Sequence, residues 1–259
     1  MSNIFEQGLD KNSANFTALS PVSFVERSAE IFGDLTSVIH GQRKYTWSQT
    51  RERSARLASA LKSLGIARGS TVSAMLPNTP EMVEVHYAVP ALNAVLNALN
   101  TRLDAALIAW QLNHCESQVL ITDREYSPVI QQALAILKSE HKKDIVVIDV
   151  CDSEYTGPGD KLGSFEYEDW LNAHPPLDKL EGPQDEWDAI AVIEELYWQD
   201  KDSSEGSDAH LNDMGPYWGS DFFFDLVDGR PVKNYFVGEI EKVARYAVPF
   251  VKNIRRLVR

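Results

Sequence analysis

Between residues 72 and 123 short apolar runs alternate with longer stretches in which apolar residues recur every three to four positions. The runs at 72–76, 96–99 and 118–122 have strand length and are bounded by breakers, the clearest being Pro77-Asn78-Thr79-Pro80. Between the first two, Met82, Val83, Val85, Tyr87, Ala88 and Ala91 follow a helical pattern, and another opens at Thr101-Arg102-Leu103-Asp104. Strand, helix, strand, helix, strand at this spacing predicts an α/β fold, a mostly parallel sheet with flanking helices. Thr79 is expected to cap the first helix, with Pro80 at its first position, where a missing N–H costs nothing.

The same reading extends in both directions. Residues 1–18 are polar and aperiodic, a flexible tail. Ser20-Pro21 starts a helix carrying Val22, Val25, Ala29 and Phe32, with Gly33 as its stop. Residues 37–40 and 44–46 predict a small hairpin around Gly41-Gln42-Arg43. Thr46 with Gln49 is a capping box, and its helix runs through Leu57, Ala60 and Leu61 to Gly65. Tyr126-Ser127-Pro128 opens a further helix, 145–150 is a β-branched buried strand, 152–163 a loop and 167–173 a short helix ended by His174-Pro175-Pro176. Residues 177–185 read as a polar connector and 187–193 as another strand.

Beyond that strand the character changes. From Glu194 to Asp213 the chain is acidic, with Lys201 the one Lys or Arg, and reads as a linker over 193–213. Residues 214–259 hold an aromatic cluster (Tyr217, Trp218, Phe222, Phe223, Phe224), a turn at Asp228-Gly229-Arg230-Pro231 and a basic amphipathic helix over 238–259. In that helix Ile240, Ala244, Ala247, Val251, Ile254 and Val258 alternate steps of four and three, the spacing of a helix seam, while Lys242, Arg245, Lys252, Arg255 and Arg256 lie on the other face. It can pack on its own core, on a second copy or partner helix, or on a membrane surface.

Composition narrows the function. The net charge of −13 over 259 residues argues against nucleic-acid binding, which needs a basic face. Two distant cysteines, Cys115 and Cys151, make neither a disulfide framework nor a zinc site, and point to a reducing compartment. No apolar run reaches the ~20 residues of a membrane span. With no secretory or peroxisomal address in the sequence, the expected location is the cytoplasm.

Candidate chemistry is sparse. Asp200, Asp202 and Ser204 resemble the start of a calcium loop, but Glu205 and Leu211 stand where glycine and glutamate are required. His86 reads as a hydrogen-bonded core or boundary histidine, and His114-Cys115 as neighbours pointing different ways rather than a nucleophile and base. Asn97, Asn100, Thr101 and Arg102 sit where ligands bind in open α/β sheets, yet turn and cap chemistry explains them, with Thr101 and Asp104 as the cap pattern. Arg51, Arg53 and Arg56 read as a solvated helix face.

The residues from about 19 to 192 also carry a family resemblance. Ser20-Pro21-Val22-Ser23-Phe24, Tyr45-Thr46-Trp47, Met75-Leu76-Pro77-Asn78-Thr79-Pro80, Leu96-Asn97-Ala98-Leu99-Asn100-Thr101-Arg102-Leu103 and Asp185-Glu186-Trp187-Asp188-Ala189-Ile190-Ala191 together resemble the N-terminal part of an adenylate-forming acyl-CoA synthetase, of the fatty or aryl acid ligase kind. The resemblance implies a family that uses ATP, Mg2+ and coenzyme A. It also implies that the strand near 187–192 leads into a Gly/Ser/Thr-rich loop ending in Pro-Lys-Gly that holds the ATP phosphates. Here Ile193-Glu194-Glu195-Leu196-Tyr197-Trp198 follows instead, with no glycine, no Ser/Thr cluster and no lysine. No catalytic, cofactor-binding or metal-binding residue is therefore assigned, and no cofactor is expected of this chain. Two readings follow: a truncated or rearranged acyl-CoA synthetase inactive alone, or a non-enzymatic interaction module or gene-fusion product on that scaffold.

Overall fold

The computed structural model describes residues 14–18 and 20–192, together with Gly8, Asp10 and Asn12. The acidic linker, the aromatic segment, the basic helix and the sequence after Val192 lie outside the described residues.

Among the described residues six helices and eight strands follow in the order α1 (Val22–Phe32), β1 (Thr36–His40), β2 (Arg43–Thr46), α2 (Trp47–Ser63), β3 (Thr71–Met75), α3 (Pro80–Ala91), β4 (Val95–Ala98), α4 (Ala105–His114), β5 (Val119–Asp123), α5 (Ser127–His141), β6 (Val146–Val150), β7 (Phe165–Glu166), α6 (Tyr167–Asn172) and β8 (Ala191–Val192). A 3₁₀ turn, Arg124–Tyr126, links β5 to α5. The four long runs expected in one sheet are β3, β4, β5 and β6, and all are in it. The strand order is β7-β6-β5-β3-β4-β8, with every pairing parallel. The edge strand β7 is too short to leave a period-two signal in the sequence.

Alternation along the strands divides the core into two layers. Val72, Ala74, Val119, Ile121 and Ile148 pack with α1, α2, α3 and α6 residues such as Val25, Leu57, Val85 and Leu171. Met75 and Leu120 face the other way, onto Ile108 and Leu112 of α4 and Ile130 and Leu137 of α5. Both faces are covered, which is why β3 and β5 are buried throughout and read as continuous runs. A short polar chain crosses the sheet: Asn97 Nδ2 donates to Ser73 Oγ at 3.0 Å, and Ser73 Oγ lies 2.6 Å from Ser117 Oγ.

Local signals fared unevenly. The Thr46–Gln49 capping box is present in both directions. The hairpin β1–β2 is antiparallel and turns at Gly41, whose φ of +55° favours glycine and whose missing Cβ leaves room for the Glu154 carboxylate. Gly33 does follow α1 as its stop, with right-handed backbone. Its smallness serves another purpose: a Cβ would fall 2.5 Å from Ser48 Oγ, where the Ser48 amide bonds the Gly33 carbonyl. Thr79 is at the N-cap position of α3 with Pro80 behind it, but its side chain makes no cap bond. Asp104, not Thr101, caps α4 by accepting from the Leu107 amide.

Two longer-range expectations are corrected. The strand expected over 187–193 is only Ala191–Val192 among the described residues. Trp187 is 85 % exposed, because Asp185 takes its amide in a turn and Asp188 is held by Asn93 and Arg68. The arginines of α2 are not a solvated face. Arg51 binds Glu26 and the Asp178 carbonyl, Arg56 binds Glu52 and the His174 carbonyl, and Arg53 is half-buried between Glu84 and Glu168 over the Tyr45 ring. The 177–185 connector is tied down by the same groups: Leu180 is buried and its amide donates to Glu26.

Candidate functional site

In a parallel sheet the loops leaving the strand C-termini converge on one edge, and ligands bind there. Three such segments meet here: the β3–α3 turn with Asn78 and Thr79, the Asp123–Tyr126 stretch after β5, and Asp152–Tyr155 after β6. The β1–β2 hairpin joins them through its tip. His40 Nε2 lies 2.8 Å from Asp152 Oδ2, and Arg43 donates to Asp152 Oδ1 at 3.0 Å and to Glu81. The Glu154 amide also donates to Asp152 Oδ1, while the Gln42 amide donates to Glu154 Oε1. Burial pushes the Asp152 carboxyl up, but His40, the Glu154 amide and Arg43 outweigh it and hold the group below the usual carboxylate range.

Asp123 is in the opposite situation. It is fully buried, and burial raises its pKa against the pull of the Glu125 and Asp152 amides. Of those two amides, only that of Glu125 reaches hydrogen-bonding geometry, at 2.9 Å from Oδ1. Asp123 Oδ2 and the Thr79 hydroxyl have no hydrogen-bond partner among the described residues. Both oxygens are closed off from solvent; their residues stand beside a cavity of about 210 Å³, with His40, Asn78, Glu125, Asp152 and Glu154 around it.

A second, apolar cavity of about 500 Å³ lies alongside and shares His40, Asn78 and Thr79 with the first. Val38 and Ile39 of β1, Met82, Val83 and Tyr87 of α3, and Ile190 and Ala191 beside β4 form its walls. His86 lines it too, exposed rather than in the core or at its boundary as expected, with Nδ1 2.7 Å from the Met82 carbonyl.

The other sequence candidates do not gather at this edge as a site. Asn97 is buried in the polar chain through the sheet, and Asn100 accepts the Arg102 amide in a local turn. His114 stacks on Trp110 with ring centroids 4.7 Å apart. The residues that do converge, His40, Arg43, Thr79, Asp123 and Asp152, were not singled out as site residues in the sequence, where Thr79 was read only as a helix cap. The available signal was a carboxylate directly following a buried run, Asp123 after Leu120-Ile121-Thr122 and Asp152 after Val150-Cys151.

These residues do not fit a nucleoside triphosphate. Asp123, Glu125, Asp152 and Glu154 around one mouth would repel phosphate, and the flanking Arg43 and His40 side chains are already engaged by Asp152. Among the described residues no group of three or more His, Cys, Asp or Glu side chains is placed to hold a metal ion.

The α/β fold agrees with comparison to known proteins. The chain belongs to the AMP-binding enzyme family, which it matches over residues 25–193. It is 41% identical over 191 residues to an acetate–CoA ligase of Humulus lupulus, covering 71% of this chain and 34% of that protein. To a peroxisomal acetate/butyrate–CoA ligase of Arabidopsis thaliana it is 39% identical, again over 71% of this chain and 34% of the relative. Among solved structures, an anthranilate CoA ligase in complex with anthranoyl-AMP superposes with a TM-score of 0.60 at 22% identity, over 71% of this chain and 34% of that one. The chain thus spans about a third of the length of the relatives it matches, and the fold it shares with them is that of their N-terminal part.

Proposed function

We propose that this chain supplies the N-terminal scaffold of a carboxylic acid:CoA ligase fold and does not by itself form an acyl-adenylate or an acyl-CoA. The observation that carries the reading is the sequence following β8. The family match ends at residue 193, and Ile193-Glu194-Glu195 brings carboxylates where a phosphate-binding turn with backbone amides and a lysine is needed. Retaining a pyrophosphate leaving group takes several charge-assisted hydrogen bonds, each worth roughly 1.5–3 kcal/mol. Arg230, Lys233 and Lys242 bring positive charge, but without a glycine-rich turn to bring backbone close to phosphate. The test is pyrophosphate exchange with ATP and magnesium across short-chain, long-chain and aromatic acids. No substrate-dependent exchange above an enzyme-free control is expected; exchange lost on mutating one of those three basic residues overturns the reading.

A second reading, a non-enzymatic interaction module on the same scaffold, draws on different residues. Ile39, Leu35 and Phe24 are large apolar side chains 65 %, 59 % and 57 % exposed. A solution mass above that of one chain supports self-association through such surface; a single-chain mass at every concentration argues against it. The cytoplasm remains the proposed location. No helix of the described residues is long and apolar enough to cross a membrane, and one relative's name places that relative in the peroxisome. Imaging of a fluorescent fusion decides between the two compartments.

A further inference from the structure

The β1–β2 hairpin is attached to the rest of the fold in two different ways. Its base is tied to α2: Ser37 Oγ lies 2.5 Å from Thr50 Oγ1, Arg53 covers the Tyr45 ring, and Thr46 caps the helix. Its two strands form a sheet of their own and share no ladder with the six-stranded one. A ribbon of two strands is marginal alone and depends on what it docks against.

The tip is docked by carboxylates. Asp152 takes His40 on Oδ2 and Arg43 on Oδ1, Glu81 also takes Arg43, and Glu154 takes the Gln42 amide. Ile39 beside the tip stays mostly exposed, so its burial adds little to the docking. Between base and tip the ladder changes register, from Thr36 opposite Thr46 to Val38 opposite Tyr45. An irregularity of this kind disrupts the ladder locally and bends the strand.

The docked state is also incompletely satisfied. Arg43 Nε and Glu81 Oε2 are buried without a hydrogen-bond partner among the described residues. Undocking returns both to water, which offsets part of the loss of the Asp152 pairs. The balance between a docked and an undocked tip then rests on Asp152, the carboxylate that holds both His40 and Arg43.

We propose that the tip, residues 38–44, is a flap hinged at the register change, with the Asp152 carboxylate as its clasp. Val38, Ile39 and His40 belong to the wall of the cavity of about 500 Å³, and His40 also borders that of about 210 Å³. A swing of the tip therefore opens both. The flap stands whether or not the chain forms an acyl-adenylate.

The experiment is amide hydrogen exchange of the full chain at one pH and ionic strength, for the natural sequence, Asp152→Asn and Glu154→Ala. In the natural chain the hairpin amides should exchange faster than those of β3 and β5. Their rates should hardly change with urea below the unfolding transition, because a local opening exposes little surface. Asp152→Asn should speed hairpin exchange roughly tenfold or more and Glu154→Ala several-fold, with β3 and β5 unchanged. Glu154 is exposed, so its variant serves if Asp152→Asn does not fold. Hairpin amides that exchange only together with β3 and β5, hairpin amides without protection in the natural chain, equal acceleration of hairpin and sheet, or unchanged hairpin rates in a folded variant each overturn the flap.

Discussion

Arg53 Nε on α2 donates to Glu84 Oε1 on α3 at 2.6 Å, joining the two helices across one layer of the core. The Glu84 side chain is 2% exposed and that of Arg53 14%. The Tyr167 hydroxyl donates to Glu84 Oε2 at 2.6 Å, and Glu168 shares the guanidinium. Helices α2, α3 and α6 are therefore tied by one ionic knot. Removing one partner strands the other charge in the core. Arg53→Met should cost about 3–5 kcal/mol in urea unfolding, and the Arg53→Met/Glu84→Met double variant much less than the two single costs added. A single-variant cost below about 1 kcal/mol would show that the pair is solvated after all.

The same knot sets a pH dependence. Burial, partly offset by Arg53 and Tyr167, raises Glu84 from an ordinary 4.5 to about 7. Between those values the folded chain holds a proton that the unfolded chain has lost, so the Glu84 contribution is fully present below 4.5 and is lost as pH rises through about 7. Asp152 has the opposite sign: its depressed pKa stabilises above the ordinary carboxylate range, and that contribution is lost as pH falls through the folded value. Thermal midpoints across pH should show that Glu84→Gln flattens the near-neutral decline while Asp152→Asn flattens the acid limb.

The polar chain inside the sheet is a separate liability. Ser73 Oγ meets both Ser117 and Asn97 in the buried core. Ser73→Ala leaves two buried polar groups unpaired and should cost about 1–3 kcal/mol. Ser73→Ala combined with Ser117→Ala and Asn97→Leu should recover part of that in chemical unfolding. No recovery would show that the groups act independently.

At the start of α2 the effect is local. Thr46→Ala removes the acceptor for the Gln49 amide and should lower stability by about 1 kcal/mol. Thr46→Ser keeps the oxygen and should cost less than half of that, an ordering that equilibrium denaturation can read.

Much of the fold depends on near neighbours along the chain, and so was legible in the sequence. Strands β3, β4, β5 and β6 show as apolar runs because both sheet faces are covered, and the intervening helices show as three-to-four periodicity. The Thr46 cap and the Gly41 turn need only residues a few positions away. Gly33 and Thr79 mark the limit of that reasoning: both stand at the predicted helix ends, but what surrounds them in space sets their role. Ser48 lies where a Cβ on Gly33 would fall, and the Thr79 hydroxyl is buried without a hydrogen-bond partner among the described residues.

Partnership across the chain was decided only by tertiary structure. Arg53 and Glu84 are 31 residues apart, and His40 and Asp152 are 112 apart. An arginine on a helix has the same local pattern whether it meets water or a buried glutamate, so the sequence presented Arg53 as a surface charge. The cluster of His40, Arg43, Thr79, Asp123 and Asp152 draws on four separate segments: three follow parallel strands, whose C-termini share one edge, and the fourth is the separate β1–β2 hairpin, tied to that edge through Asp152. Hydrophobic periodicity determined the layers. Which charges those layers enclose, and the carboxylate they bury at the sheet edge, followed from chain closure, because the field at a side chain is set by distance in space and not along the sequence.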